Sequence, residues 1–431
     1  MDLSPCEEAG ICPATIYLLV VLLGILFTFL LELVSDILTL KSLGSQVPEE
    51  LDDIYDQDKY ENSQSYNRAR IRFGIISGLF DLLVTLVFWF VGGFGHLDDA
   101  LRSVIDSEIG RGTVYIVILS TAENILSLPF SLYSTFVLEQ RYGFNKTSAK
   151  TYVLDLVKVV LLSVVLGIPV LAAVLAFFTF VGEFGWLYLY LFILIVNITL
   201  IFVSPMFILP LFFEMEPLEQ GELRTAILAL AEKADFDMKD IFVIDGSKRS
   251  SHSNAFFTGF GPSKRICLFD TLISQQSTDE IVAVLGHEIG HYKKGHIYIG
   301  MVLSFLETFL MLYLLSIFIS NPDLAAAFYV SEPSAYFGLI AFGMLLTPIQ
   351  TVLGVVGNII SRMNEYSADK YGAELTGKPK DLILSLKKLS KDNLSNLTPH
   401  PFSVFIGYSH PPVLMRVRAL NDLESHDSTL V

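Results

Sequence analysis

The sequence predicts an all-α polytopic membrane protein: seven transmembrane helices with a small α+β domain set among them. Three observations lead there. Of 431 residues, 52% are hydrophobic and only 17% charged, with a mean hydropathy of +0.55, too apolar for an ordinary soluble domain. Seven apolar runs are each long enough to cross a bilayer. Between the fifth and sixth lies the longest polar interval after residue 112, and its patterning is that of short strands and amphipathic helix.

The first run, Thr15 to Leu40, follows an acidic stretch with no positive region, and at about 25 residues it is too long for a cleaved signal peptide. It is expected to remain as the first span. The others are expected at Ile71 to Gly95, Thr113 to Leu138, Val157 to Phe180, Phe184 to Phe213, His296 to Ser320 and Ala335 to Ile360. The chain then divides into a membrane domain (1–213), a polar domain (214–295), the sixth and seventh spans (296–360) and a C-terminal part (361–431).

Seven spans put the termini on opposite sides. Only Arg102 and Arg111 fall on the side of the N-terminus, while the other 27 of the 29 Lys and Arg residues lie in or beside the opposite segments. The positive-inside rule then sets the polar domain and the C-terminus in the cytosol. Cytosolic Asn145, Asn393 and Asn396 would therefore stay unglycosylated despite their acceptor sequences. The terminal Ser-Thr-Leu-Val is neither a prenylation nor a retrieval signal. A net charge of −16 argues against nucleic acid as a partner. Three cysteines make no disulfide framework. Cys267 lacks metal-site spacing, and Cys6 and Cys12 either pair in an oxidising compartment or stand as separate thiols.

Several spans carry polar residues at membrane depth: Glu32, Asp36, Asp81, Glu123, Asn124, Asn197, Glu307, Gln350 and Asn358. Facing lipid, each would cost a few kcal/mol, so they must face one another or water. They either bridge helices or line a hydrated interior.

In the polar domain, Leu223 to Ala234 reads as an amphipathic helix and Asp240 to Ile244 as a strand. His252 to Phe260 and Arg265 to Phe269 flank Gly261-Pro262-Ser263-Lys264, as in a hairpin. A free strand edge beside a catalytic helix can pair with an extended peptide.

The organising stretch is Val282 to His296, V-A-V-L-G-H-E-I-G-H-Y-K-K-G-H. His287 and His291 are four apart, so on a helix both imidazoles leave the same face and can grip one metal ion. Glu288 stands beside them, placed to take a proton from an attacking water. A catalytic zinc takes a third protein ligand, and R-M-N-E-Y-S-A-D-K-Y-G supplies a candidate: Glu365 to bind the ion, with Asp369 on the same helix face to accept a hydrogen bond from a ligand histidine. After a lysine-rich helix, Pro379 to Lys391, comes Ser409-His410-Pro411-Pro412. Such a histidine is commonly a turn residue, yet it could donate to the oxyanion that hydrolysis creates. Arg416 is expected to be structural, paired with a nearby carboxylate.

H-E-I-G-H followed by N-E-Y-S-A-D resembles the gluzincin metalloproteases, and specifically the type I CAAX prenyl endopeptidases of membranes. E-Q-R-Y-G-F-N (Glu139 to Asn145), G-S-K-R-S-S-H-S-N-A-F-F (Gly246 to Phe257), L-F-D-T-L (Leu268 to Leu272) and Y-S-H-P-P (Tyr408 to Pro412) resemble that family's signatures in the same order. The resemblance implies spans enclosing a large water-filled chamber and one zinc ion per chain. It implies Asn254 in the substrate-binding edge and His410 as a catalytic partner of Glu288. It also implies a prenylated C-a-a-X peptide or protein as substrate, losing its last three residues, with membrane lipid as surroundings and the oligomeric state left open. The membrane would be the endoplasmic reticulum in a eukaryote and the plasma membrane in a prokaryote. Between Leu272 and the zinc-motif helix this chain lacks a polar insertion that some eukaryotic members carry. A quality-control membrane protease would have fewer spans, and an intramembrane-cleaving protease would bury its motif in a lipid-facing span with an aspartate ligand. A seven-span channel or transporter would leave the ligand set unexplained.

Overall fold

The computed structural model describes residues 12–44, 46–258 and 264–427, without the side chains of residue 183 and of residues 424–427. Cys6, the tip of the expected hairpin turn and the terminal Ser-Thr-Leu-Val lie outside these residues. Among the described residues, seven helices are long and apolar enough to cross a membrane: Pro13–Ser42, Gln57–Phe90, Glu108–Glu139, Ala149–Phe180, Gly185–Phe212, His296–Phe318 and Ala335–Thr376. All seven expected spans are present, and the chain is an integral membrane protein. Several helices outrun their apolar runs, because polar residues extend them beyond the bilayer. The second begins at Gln57, capped by the Asp56 carboxylate on the Lys59 amide. It ends at Phe90 rather than Gly95, since Gly92 adopts φ +75°, which breaks the helix and starts a short one, Gly93–Arg102.

The spans pack at their ends more than along their length. Thr121 to Leu126 are all exposed, and six consecutive helical residues point in every direction around the axis. The third span is therefore thinly packed at that level, with Glu123 and Asn124 among its exposed residues. At the end remote from the polar domain an aromatic core closes the ring. Trp89 stacks on Phe328 with centroids 4.5 Å apart, its indole donates to the Ala327 carbonyl at 2.9 Å, and Phe94, Tyr336 and Phe337 pack around them.

At the other end the polar interval folds on a four-stranded sheet. Strands β1 (Met215–Pro217), β2 (Asp240–Ile244), β3 (Ala255–Thr258) and β4 (Arg265–Phe269) run in the order β1-β2-β4-β3. β2 and β4 are parallel; the outer pairs are antiparallel. Ile241, Ile266 and Leu268 face Leu285 and Ile289 of the helix Thr278–Lys293, which closes the small core. Cys267 is buried in β4, and burial pushes its thiol up to about 11, so it behaves as a packing residue. β3 begins at Ala255 rather than at His252, and the expected end at Phe260 lies outside the described residues. The backbone of residues 252 and 253 bonds elsewhere: the His252 carbonyl accepts from Thr271 Oγ1 at 3.0 Å and the Ser253 amide donates to Asn393 Oδ1 at 3.4 Å.

Those bonds belong to a clasp between the membrane helices and the polar domain. The Phe144 ring stacks on His252 at 4.1 Å. The Ser251 amide donates to the Phe144 carbonyl at 3.1 Å, and Lys146 donates to the Arg249 carbonyl at 3.0 Å. The Arg249 guanidinium grips Asp155 with bonds of 2.8 and 3.0 Å. The two distant blocks Glu139 to Asn145 and Gly246 to Phe257 are thus partners.

Candidate metal centre

The helix Thr278–Lys293 opens with a capping box, in which Ser277 and Glu280 each bond the other's backbone amide. Its buried face then presents His287. The seventh span does not stop at the membrane but runs unbroken to Thr376, carrying Glu365 and Asp369 alongside. Glycines let the two helices touch. A Cβ on Gly372 would fall 2.6 Å from the His287 amide nitrogen, and one on Gly290 would fall 3.0 Å from the Ala368 carbonyl. Close backbone approach brings carboxylates to histidines more than seventy positions upstream.

One ligand atom each from His287, His291 and Glu365 lies within 4.8 Å of the other two. The two imidazole Nε2 atoms are 3.2 Å apart, and Glu365 Oε1 is 3.2 Å from His291 Nε2. Ligands at 2.0–2.1 Å in a tetrahedron stand about 3.3 Å apart, so these spacings suit zinc. Two imidazoles and one carboxylate are a donor set that a catalytic zinc takes, and Glu365 Oε2, though 3.2 Å from Arg416 Nη1, accepts no hydrogen bond. The residues fit the ion.

Around these three sits a supporting layer. His287 Nδ1 meets Asp369 Oδ1 at 2.8 Å, which leaves Nε2 for the ligand position. Arg416, 8% exposed, bonds Asp369 through Nε and Nη2 at 2.8 and 2.6 Å and lies 3.2 Å from Glu365 Oε2. Arg416 thus contacts Glu365 as well as the expected carboxylate partner. His291 Nδ1 is 3.1 Å from His296 Nδ1. Sequence reasoning passed over His296 as a polar end to the motif; a histidine five residues after a ligand, across a glycine, was the available signal.

Glu288 lines a cavity of about 720 Å³ together with His287, His291, Glu365, His410 and Asn254. Burial raises the Glu288 carboxyl above the ordinary range, while the neighbouring imidazoles of His287 and His291 pull it down. His410 is exposed to the cavity, with Nε2 3.4 Å from Glu365 Oε1 and Nδ1 2.9 Å from the Ser409 hydroxyl. Asn254 is exposed at the head of β3, whose outer edge no other strand covers among the described residues. His287, Glu288, His291, Glu365, His410, Arg416 and Asn254 therefore all border this cavity, and Asp369 stands behind His287.

Comparison with known proteins agrees with this arrangement. Residues 36–214 match the CAAX prenyl protease N-terminal family, described as five membrane helices, and residues 217–424 match peptidase family M48. CAAX prenyl protease 1 of Saccharomyces cerevisiae is 36% identical over 88% of this chain and 89% of its own. The Homo sapiens CAAX prenyl protease 1 homolog is 32% identical over 89% of this chain and 90% of its own. The crystal structure of S. mikatae Ste24p superposes with a TM-score of 0.88 at 34% identity, covering 94% of this chain and 99% of that one. An M48 peptidase half joined to the five-helix N-terminal half, matched over most of its length by such relatives, places the chain in the family of type I CAAX prenyl proteases.

Proposed function

We propose that the chain is a zinc endopeptidase that removes the last three residues of prenylated C-a-a-X proteins at a membrane. The observation that carries this reading is the convergence of His287, His291 and Glu365 beside a free strand edge, in a cavity walled partly by spans.

In this reading His287, His291 and Glu365 hold one zinc ion, which supplies a Lewis acid that polarises the scissile carbonyl and acidifies water. Asp369 fixes the tautomer of His287, and Arg416 keeps both acidic side chains oriented. A peptide adds as a strand to the open edge of β3, with Asn254 bonding its backbone. Glu288 takes the proton of the attacking water and returns it to the leaving amine. His410 donates to the developing oxyanion from the opposite side.

The lipid-modified substrate suits the cavity's walls. Ile297, Ile299 and Leu303 of the sixth span and Gly357 and Ile360 of the seventh line it, so an isoprenoid in the bilayer stays close while its peptide reaches the metal. The asymmetry of Lys and Arg supports a cytosolic peptidase domain and C-terminus, and thus a substrate delivered from the cytosol to the endoplasmic reticulum in a eukaryotic cell.

The test offers a farnesylated C-a-a-X peptide and its unprenylated twin to purified protein, with and without a zinc chelator. Preferential cleavage of the lipidated peptide before its last three residues, abolished by chelation, is the expected result. Equal cleavage of both peptides overturns the substrate. Chelator-resistant cleavage, or a wild-type rate from Glu288→Gln, overturns the mechanism; removal of the general base should cost about 10²–10⁴-fold.

A further inference from the structure

A second cavity, of about 240 Å³, opens where the peptidase domain meets the fifth and sixth spans. Ile201, Phe257, Lys264, Tyr292, Ile297 and Met301 are among its lining residues. Lys264 is 6% exposed, and its ammonium lies 4.2 Å from the ring centroids of both Phe236 and Tyr292. Three cationic side chains are buried among the described residues. Lys387 is paired with Asp53 at 2.8 Å, and Arg416 with Asp369 and Glu365. Lys264 alone has no carboxylate within ion-pair reach among the described residues, and nearby Asp235 is turned to Lys293, at 3.7 Å.

Two aromatic faces offset only part of the cost of taking an ammonium out of water. An anion would complete the balance, and the location says which kind. The helix His296–Phe318 has 23 residues, about 34 Å at 1.5 Å per residue, one bilayer crossing. Ile297 and Met301 lie in its first two turns, at the depth where lipid headgroups meet acyl chains. The cavity thus has a buried positive charge on its domain side and apolar span residues on the other.

We propose that this cavity binds the phosphate of an anionic phospholipid, with Lys264 as its counter-charge and Ile201, Ile297 and Met301 against the first carbons of the chains. Inorganic phosphate shares the recognised chemistry. Phe257 and Ile297 also line the metal-side cavity, so the bound lipid would stand one side chain away from the substrate edge.

The test incorporates the full-length protein into nanodiscs of phosphatidylcholine with a minor share of phosphatidylglycerol. Lipid retained after detergent extraction is counted by native mass spectrometry, with zinc content as the check on folding. Wild type and Lys264→Arg should retain phosphatidylglycerol preferentially, Lys294→Met on the outer face of the neighbouring helix should match them, and Lys264→Met should lose roughly tenfold or more in affinity. Met301→Trp, which fills the cavity and leaves the lysine in place, should lose it too and serves if Lys264→Met fails to fold. Equal retention by wild type and by the folded cavity variants overturns the site. A second arm adds inorganic phosphate to pure phosphatidylcholine discs: binding there without any preference for phosphatidylglycerol overturns the lipid and assigns the site to the free anion.

Discussion

His291 and His296 face each other across Gly295 with their Nδ1 atoms 3.1 Å apart. One of the two must carry the shared proton, and a ligand histidine that offers Nε2 to an ion needs a partner at its other nitrogen. His296→Ala should therefore weaken zinc binding about 10–100-fold while leaving the fold intact. Competition with a chelating dye measures this; unchanged affinity would show the contact to be incidental.

Arg416 is buried against two carboxylates. Its replacement by Met leaves Glu365 and Asp369 facing one another uncompensated, and loss of one partner of a buried ionic set costs about 3–5 kcal/mol. The zinc-free protein should show this loss in thermal unfolding. Excess zinc should restore part of it by binding only the folded state, whereas a lysine at 416 should rescue incompletely, because it cannot bond Asp369 with two nitrogens.

Gly372→Ala places a methyl group 2.6 Å from the His287 amide. The helices must separate, at a cost of about 1–3 kcal/mol, and Glu365 and Asp369 move with them. Zinc content should fall along with stability. A variant that loses stability yet keeps its metal would mean that the ligands do not depend on this contact.

The clasp makes stability sensitive to pH. Burial pulls the His252 imidazole down, but Glu139, 3.7 Å away, and Asn393, at 2.9 Å, more than offset it, so its pKa lies above the ordinary value. The contact thus stabilises the fold fully below about pH 6.5 and less as pH rises through the raised value. Because the pair is partly exposed, the effect is at most about 1 kcal/mol. Thermal unfolding of wild type against His252→Gln should show a gap at pH 6 that narrows by pH 8.5. A gap independent of pH would assign the contribution to ring stacking on Phe144.

Much of this was legible in one dimension. Apolar run length is a local property, so all seven spans could be read, and helical spacing put His287 with His291 and Glu365 with Asp369. What could not be read was how elements end and meet. The helix that carries Glu365 proved to be the end of the seventh span, because nothing in the polar residues after Ile360 breaks a helix before Gly377. Gly286, Gly290 and Gly372 carry no signal in a hydropathy profile, yet they set the distance between the helices. The blocks around Glu139 and Gly246 stand a hundred residues apart as unrelated motifs, and only their hydrogen bonds show a single clasp. Lys264 resembled any hairpin lysine until its rings were in view.

The bare third span has a consequence of its own. A helix so thinly packed at mid-height is held mainly at its ends, by the aromatic core around Trp89 on one side and the clasp on the other. The two packed ends, rather than contacts at mid-height, then set the position of this helix.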